Sequence, residues 1–180
     1  MARTVVLGVT GSIAAYKACE LVRLLVKAGH DVHVVMTDHA KEFVTPLTFR
    51  TLSRNPVESA MFEDPLEWKP GHVSLAEQAD VLVIAPATAN ILAKMANGIA
   101  DDLLSSVALA TRAPIVVAPA MNTGMWQNAA TQANFATLGA RGVHFVEMGT
   151  GELACGTSGP GRMAEPADIF AAVSQILERT

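Results

Sequence analysis

The sequence predicts a single α/β domain over residues 1–180, a doubly wound parallel sheet with helices on both faces. Three observations carry that expectation. Apolar runs rich in Val, Ile and Leu recur along the chain without polar alternation, as strands buried on both faces do. Helical periodicity follows each run, and a regular alternation of strand and helix argues for parallel pairing through right-handed crossovers. The 180 residues, 51% of them hydrophobic, suffice for one domain with a substantial core.

Thr4–Val9 reads as the first strand. Residues 13–28 read as a helix: Ala14, Ala18, Leu21, Val22 and Leu25 recur at helical spacing, Lys17, Glu20, Arg23 and Lys27 fall mainly on the other side, and Gly29 stops it. Asp31–Met36 is a second strand, and residues 39–53 look helical with Pro46 interrupting or starting a second piece. Residues 63–71, holding Pro65, Pro70 and Gly71, read as a loop, and residues 73–78 as a helical turn before a third strand, residues 81–85. Helices at 89–95 and 102–110 are divided by Asn97-Gly98. A fourth strand is expected at 114–118, one helix at 123–138 and a fifth strand at 142–146. Residues 149–161 hold five glycines and one proline and read as an irregular loop; a helix at 166–177 closes the chain. This order of elements is of the Rossmann or flavodoxin-like type.

Composition narrows the function. The formal net charge is -4 and the basic residues are scattered, which gives nucleic acid no footprint. The longest apolar runs, such as Val81–Ala87, fall well short of the roughly 20 residues of a membrane span. The start, Met1-Ala2-Arg3-Thr4, lacks the shape of a secretory signal, and Cys19 and Cys155 make no disulfide framework, so a cytoplasmic protein with reduced thiols is expected. No two of the five histidines have the spacing of metal ligands, and no metal site is expected.

In a doubly wound sheet, ligands bind beyond the carboxyl ends of the strands, where the strand order reverses. After the first strand, Thr10-Gly11-Ser12-Ile13 puts a glycine and a hydroxyl at a helix start, where unsatisfied N–H groups suit an anion. The plainer reading makes Ser12 an N-cap and Gly11 a tight turn. The segment is neither a G-x-G-x-x-G fingerprint nor a Walker loop, which disfavours a conventional dinucleotide site or an ATPase. After the second strand, Thr37 either bonds a phosphate or ribityl chain or caps the next helix. After the third, Thr88 and Asn90 suit capping and ligand contact equally. Three polar helix starts at one sheet edge, however, exceed what capping needs, and suggest a phosphate plus a polar ring or chain.

After the fourth strand, Asn122 has the donors to hold a carboxylate without adding charge, and Met121, Met125 and Trp126 suit the wall of a flat aromatic ligand. Spacing alone slightly favours an N-cap Asn with Met and Trp in the core. Cys155 sits in the glycine-rich stretch, unlike a packed thiol, and is a candidate nucleophile or proton donor beneath a loop that excludes water. Cys19 reads as structural. His30, His33, His39 and His144 flank or lie in regular elements, whereas His72 follows Pro70-Gly71 just before the third strand.

Taken together, Thr10-Gly11-Ser12-Ile13-Ala14-Ala15-Tyr16-Lys17, Pro86-Ala87-Thr88-Ala89-Asn90, Asn97-Gly98-Ile99-Ala100-Asp101, Pro119-Ala120-Met121-Asn122 with Met125-Trp126, and Leu153-Ala154-Cys155-Gly156 through Gly161-Arg162-Met163 resemble the homo-oligomeric flavin-containing cysteine decarboxylases over essentially the whole chain. The resemblance is greatest to members that act on 4'-phosphopantothenoylcysteine in coenzyme A synthesis, which in bacteria are usually fused to the phosphopantothenate–cysteine ligase. It implies FMN as cofactor, held by Gly11, Ser12, Ile13 and Thr37 and by Thr88, Ala89, Asn90, Ile91 and Ala120. It implies Asn122 on the substrate carboxylate, Glu152, Leu153 and Ala154 on a substrate-covering flap, Cys155 as proton donor and His72 as the active-site histidine. It further implies a trimer binding FMN between subunits, in some members assembled into dodecamers.

The implied chemistry oxidises the carbon bearing sulfur to a thioaldehyde, loses CO2 to leave an enethiol, and returns the hydride with a proton from Cys155. Three related activities compete. A peptidyl-cysteine decarboxylase of lantibiotic type stops at the enethiol and does not need the Cys155 loop. A flavin prenyltransferase would lack the Pro-Ala-Met-Asn segment. A non-catalytic flavin-binding regulatory subunit would carry an acidic extension, whereas this sequence ends Gln175-Ile176-Leu177-Glu178-Arg179-Thr180.

Overall fold

The computed structural model describes residues 2–61, 71–152, 156 and 158–179. Six parallel strands form one sheet: β1 (Thr4–Val9), β2 (Asp31–Met36), β3 (Val57–Glu58), β4 (Val81–Ala87), β5 (Ile115–Pro119) and β6 (His144–Phe145), in the spatial order β3-β2-β1-β4-β5-β6. The order reverses between β1 and β4, the place where a doubly wound sheet leaves a crevice at its carboxyl edge.

The buried core divides between the two faces of the sheet. Val5, Leu7 and Val9 pack on one side with Val81 and Val83, under α1 (Ala15–Lys27) and the closing helix. Val6, Leu82 and Ile84 pack on the other, under the helices that follow β4. Alternate residues of a strand point to opposite faces, so a strand apolar on both reads as an unbroken hydrophobic run. Gly8 is the exception. A Cβ there would collide with the Leu104 side chain, so α6 (Leu103–Ala110) settles close on β1 where that position lacks one.

Several boundaries differ from the expectation, each for a local reason. Residues 39–53 do form two pieces, α2 (Asp38–Lys41) and α3 (Pro46–Ser53), with Pro46 starting the second, because proline starts a helix more readily than it continues one. α4 (Gly71–Gln78) and α5 (Ala89–Asn97) each gain residues over the expected spans. The expected helix of 123–138 breaks into α7 (Thr123–Gln127) and α8 (Ala129–Ala140). At the break Asn128 turns extended, φ -62° and ψ 134°, and its side chain accepts the Ala130 N–H. β3 was not expected; two residues after Pro56 carry no periodicity to read.

The largest correction concerns the glycine-rich stretch, which is not irregular. Gly149–Glu152 (β7) and Ser158–Arg162 (β8) pair antiparallel as a hairpin outside the main sheet. Its residues have little strand propensity, and Gly151 and Gly161 sit at φ 156° and 139°, where a side chain is strained. Contacts with the segment after β5, described below, hold it in place. α9 (Pro166–Arg179) then closes the first face. Among the described residues no helix is long and apolar enough to cross a membrane, and no cluster of His, Cys, Asp and Glu could hold a metal ion.

Candidate functional site

At the β1/β4 crevice a cleft of about 420 Å³ opens between the segments that follow β1, β2 and β4. That is within the roughly 300–1,000 Å³ typical of ligand pockets. Gly11, Thr37, Thr88, Asn90 and Ile91, five of the residues singled out in the sequence, line it together with Thr10 and His39.

Thr10 ties the two strands on either side of the crevice. Its hydroxyl donates to the Pro86 carbonyl at 2.7 Å and accepts the Thr88 N–H at 3.1 Å, and the side chain is buried. The sequence carried one signal for it: Thr10 is the first polar side chain after an unbroken apolar strand. Gly11 is needed for close approach, since a Cβ there would collide with the Cβ of His39 at the start of α2. The segments after β1 and β2 therefore meet only because residue 11 has no side chain.

The alternatives left open by the sequence now separate. Thr88 caps α5, its hydroxyl accepting the Ile91 N–H at 3.4 Å, and Ser12 accepts the Ala14 N–H at 3.2 Å. Thr37 does not cap. It occupies the N-cap position of α2, but its hydroxyl bonds nothing in the helix and is buried without a hydrogen-bond partner. Such a group costs free energy unless something outside the chain satisfies it. An orphaned hydroxyl on a cleft wall fits a polar ligand such as a phosphate or ribityl oxygen. Ser12, Ile13, Ala89 and Ala120 do not line the cleft. Ile13 is 56% exposed, and Ala120 is buried, its N–H bonded to the Ala87 carbonyl across the end of the sheet.

Sequence reasoning settled no role for the charged group that also lines the cleft. Lys94 bonds Asp101 at 2.6 Å and Asp102 at 2.7 Å, and only 17% of its side chain is exposed. Burial works against the Lys94 ammonium, but the two carboxylates outweigh it and raise its pKa. Burial likewise pushes Asp102 up, yet hydrogen bonds from Lys94 and from the Ser105 N–H and hydroxyl hold its carboxyl below the usual value. Asp102 also forms a capping box with Ser105 that starts α6. The partners lie seven and eight residues apart across a helix break, a spacing that no helical pattern reveals. Asp38 on the near wall pairs with Lys41 at 2.8 Å.

Asn122 lies after β5 at the N-cap of α7, where its Oδ1 accepts the Gly124 N–H at 2.7 Å. The cap that spacing favoured does form. It uses the amide oxygen, whereas holding a carboxylate asks for the N–H donors. Met125 lines the cleft, while Trp126 stacks edge-to-face on Phe135, centroids 5.0 Å apart. The hairpin rests against this segment: Met121 N–H donates to the Gly161 carbonyl at 3.0 Å and the Thr123 hydroxyl to the Pro160 carbonyl at 2.9 Å. Glu152 ends β7. Leu153, Ala154 and Cys155 lie outside the described residues.

His72 stands at the start of α4, half-buried, with its Nδ1 lacking a partner. It does not line the cleft. Cys19 is half-buried on α1, and burial pushes its thiol up, away from the reactive thiolate.

This geometry has close counterparts. The family model described as Flavoprotein matches residues 1–178. The coenzyme A biosynthesis bifunctional protein CoaBC of Vibrio vulnificus is 47% identical over 176 residues, covering 98% of this chain and 44% of that protein. The chain thus spans less than half the length of the curated relatives it matches. A mutant PPC decarboxylase solved with pantothenoylaminoethenethiol superposes with a TM-score of 0.88 at 33% identity, covering 99% of this chain and all of that one. The FMN-dependent cysteine decarboxylase SpaF does so with a TM-score of 0.85 at 34% identity, covering 99% and 97%. A doubly wound sheet with its cleft at the β1/β4 crossover, matched along nearly its whole length by one family model, places this chain in the flavoprotein family.

Proposed function

We propose that this chain is an FMN-dependent decarboxylase that converts 4'-phosphopantothenoylcysteine to 4'-phosphopantetheine in coenzyme A synthesis. The observation that carries the reading is the orphaned Thr37 hydroxyl in a polar cleft at the strand-order switch, in a chain whose solved counterparts include a PPC decarboxylase and an FMN-dependent cysteine decarboxylase. Gly11 and Thr37, with Thr88, Asn90 and Ile91, hold the flavin's phosphate and ribityl chain. Ser12 and Ile13 support them from the turn before α1, Ala89 from the first turn of α5, and Ala120 from the end of β5. When bound, FMN supplies a reversible two-electron sink for the carbon bearing sulfur, which is what lets an otherwise unactivated carboxylate depart.

The protein's own part is positioning and proton handling. Asn122 orients the substrate carboxylate through its amide N–H donors. His72 assists proton removal at its unpartnered Nδ1. Cys155 donates a proton from its Sγ to the enethiol, and Glu152, Leu153 and Ala154 cover the substrate. Because His72 does not line its own chain's cleft, we assign it to the flavin of a neighbouring subunit in a trimer. Exposed Ile13, Tyr16, Phe43, Leu47 and Met125, in the segments after β1, β2 and β5, supply apolar surface for that contact. A phosphopantothenate–cysteine ligase, fused or separate, supplies the substrate.

The test is direct. Purified protein loaded with FMN should release CO2 from 4'-phosphopantothenoylcysteine and form the reduced product in equal amount. The Cys155→Ser variant should still release CO2 but accumulate the enethiol. No CO2 from the wild type removes the reading; full reduced product at the normal rate from the variant removes the donor role of Cys155. Turnover of a peptide ending in cysteine, in place of the phosphorylated substrate, would reassign the chain to the peptide decarboxylases.

A further inference from the structure

Among the described residues, the loop that carries Asn122 and the hairpin that follows it are fastened to each other at three points. The Thr123 hydroxyl donates to the Pro160 carbonyl at 2.9 Å. Met121 N–H donates to the Gly161 carbonyl at 3.0 Å. The third point is steric: a Cβ on Gly159 would lie 2.6 Å from Thr123 Oγ1, and one on Gly161 would collide with the Met121 carbonyl. Strand β8 can lie this close only because both its contacting positions are glycine. Of the three points, only Thr123 acts through a side chain, and that side chain does nothing for its own helix. α7 is capped by Asn122, not by Thr123.

We propose that Thr123 is a positioning residue that couples the carboxylate-binding loop to the hairpin, and so sets how often the enethiol is protonated before it escapes. The proposal rests on the decarboxylase reading above. Asn122 acts at CO2 loss and the hairpin segment acts at the reductive step, so the register between β8 and the Asn122 loop bears on the second step relative to the first. With the hydroxyl gone, the Pro160 carbonyl loses its donor and β8 loses one of its hydrogen bonds to the Asn122 loop. The quantity that reports this is the ratio of enethiol to reduced product, which does not depend on how much folded enzyme is present.

Three variants of the FMN-loaded protein test it. Thr123→Val keeps the volume and removes the donor; the enethiol ratio should rise about fivefold, the factor matching one ordinary hydrogen bond. Thr123→Ser keeps the donor and should restore the wild-type ratio. Gly159→Ala, which forces β8 away from Thr123, should raise the ratio independently if Thr123→Val folds poorly. Val173→Ala, a core change remote from the hairpin, should lower yield without moving the ratio. A wild-type ratio in both Thr123→Val and Gly159→Ala, or no rescue by serine, overturns the coupling. If the wild type releases no CO2, the decarboxylase reading falls and hydrogen exchange decides the contact: the amides of Ser158, Gly159, Gly161 and Arg162 should exchange about fivefold faster in Thr123→Val, and unchanged exchange overturns it.

Discussion

Thr37 shows at the scale of one residue how an unsatisfied group marks a site. Its hydroxyl is buried, unpartnered and set in the cleft wall, so the ligand-free protein carries the desolvation cost of an idle polar atom. Replacing it with valine removes both the cost and the ligand contact. Thr37→Val should leave the ligand-free protein as stable as the wild type or up to about 1 kcal/mol more so, while weakening FMN about five- to tenfold. Thermal melts without flavin and a fluorescence titration with it make the comparison; equal FMN affinity would take Thr37 out of the site. Thr10 presents the opposite case, a hydroxyl fully occupied in tying β1 to β4. Two threonines that look alike in the sequence thus have different tasks, and only their partners tell them apart.

At the scale of elements, the connection between α5 and α6 is built on charge. Asp102 accepts the Ser105 N–H at 2.7 Å and the Lys94 ammonium at 2.7 Å, starting one helix while anchoring it to the previous one. Asp102→Ala should cost about 1–2 kcal/mol near neutrality, the range for a lost N-cap, read as a shift in urea midpoint. The pH dependence follows from the depressed carboxyl of Asp102. A group whose folded pKa lies below its unfolded value stabilises the fold above the unfolded value, about 3.9 for Asp, and loses that contribution as pH falls through the lower folded one. Wild-type stability should therefore decline between about pH 5 and the acid limit more steeply than that of Asp102→Ala. Parallel acid profiles would show that the Lys94 clip contributes nothing.

The whole molecule is a sheet whose strand order reverses once, with a polar cleft at the reversal. A ligand that binds only the folded state stabilises all of it. FMN at a hundred times its dissociation constant should add about 2.7 kcal/mol, a melting rise of roughly 5–10 °C for a chain of this size. Scanning calorimetry with and without flavin measures it, and an unchanged melting temperature would mean that the folded chain does not bind FMN. Much of this architecture was already determined by the sequence. The short, Val-rich apolar runs of β1 and β4 read as strands covered on both faces, and the helical stripe at Ala18, Leu21, Val22 and Leu25 as the side that packs on them, because hydrophobic periodicity is local. The polar helix starts at Gly11, Thr37 and Thr88 were legible for the same reason, each falling directly after such a run. Tertiary structure alone decided the rest. The glycine-rich stretch became a hairpin because Met121 and Thr123 supply the hydrogen bonds its own propensity does not. Lys94 reached two aspartates across a helix break, and Thr37 was left without a partner while Thr88 found one. Hydrogen bonds and ion pairs between residues distant in sequence depend on where the packed elements place their ends, and no periodic pattern in the chain encodes that.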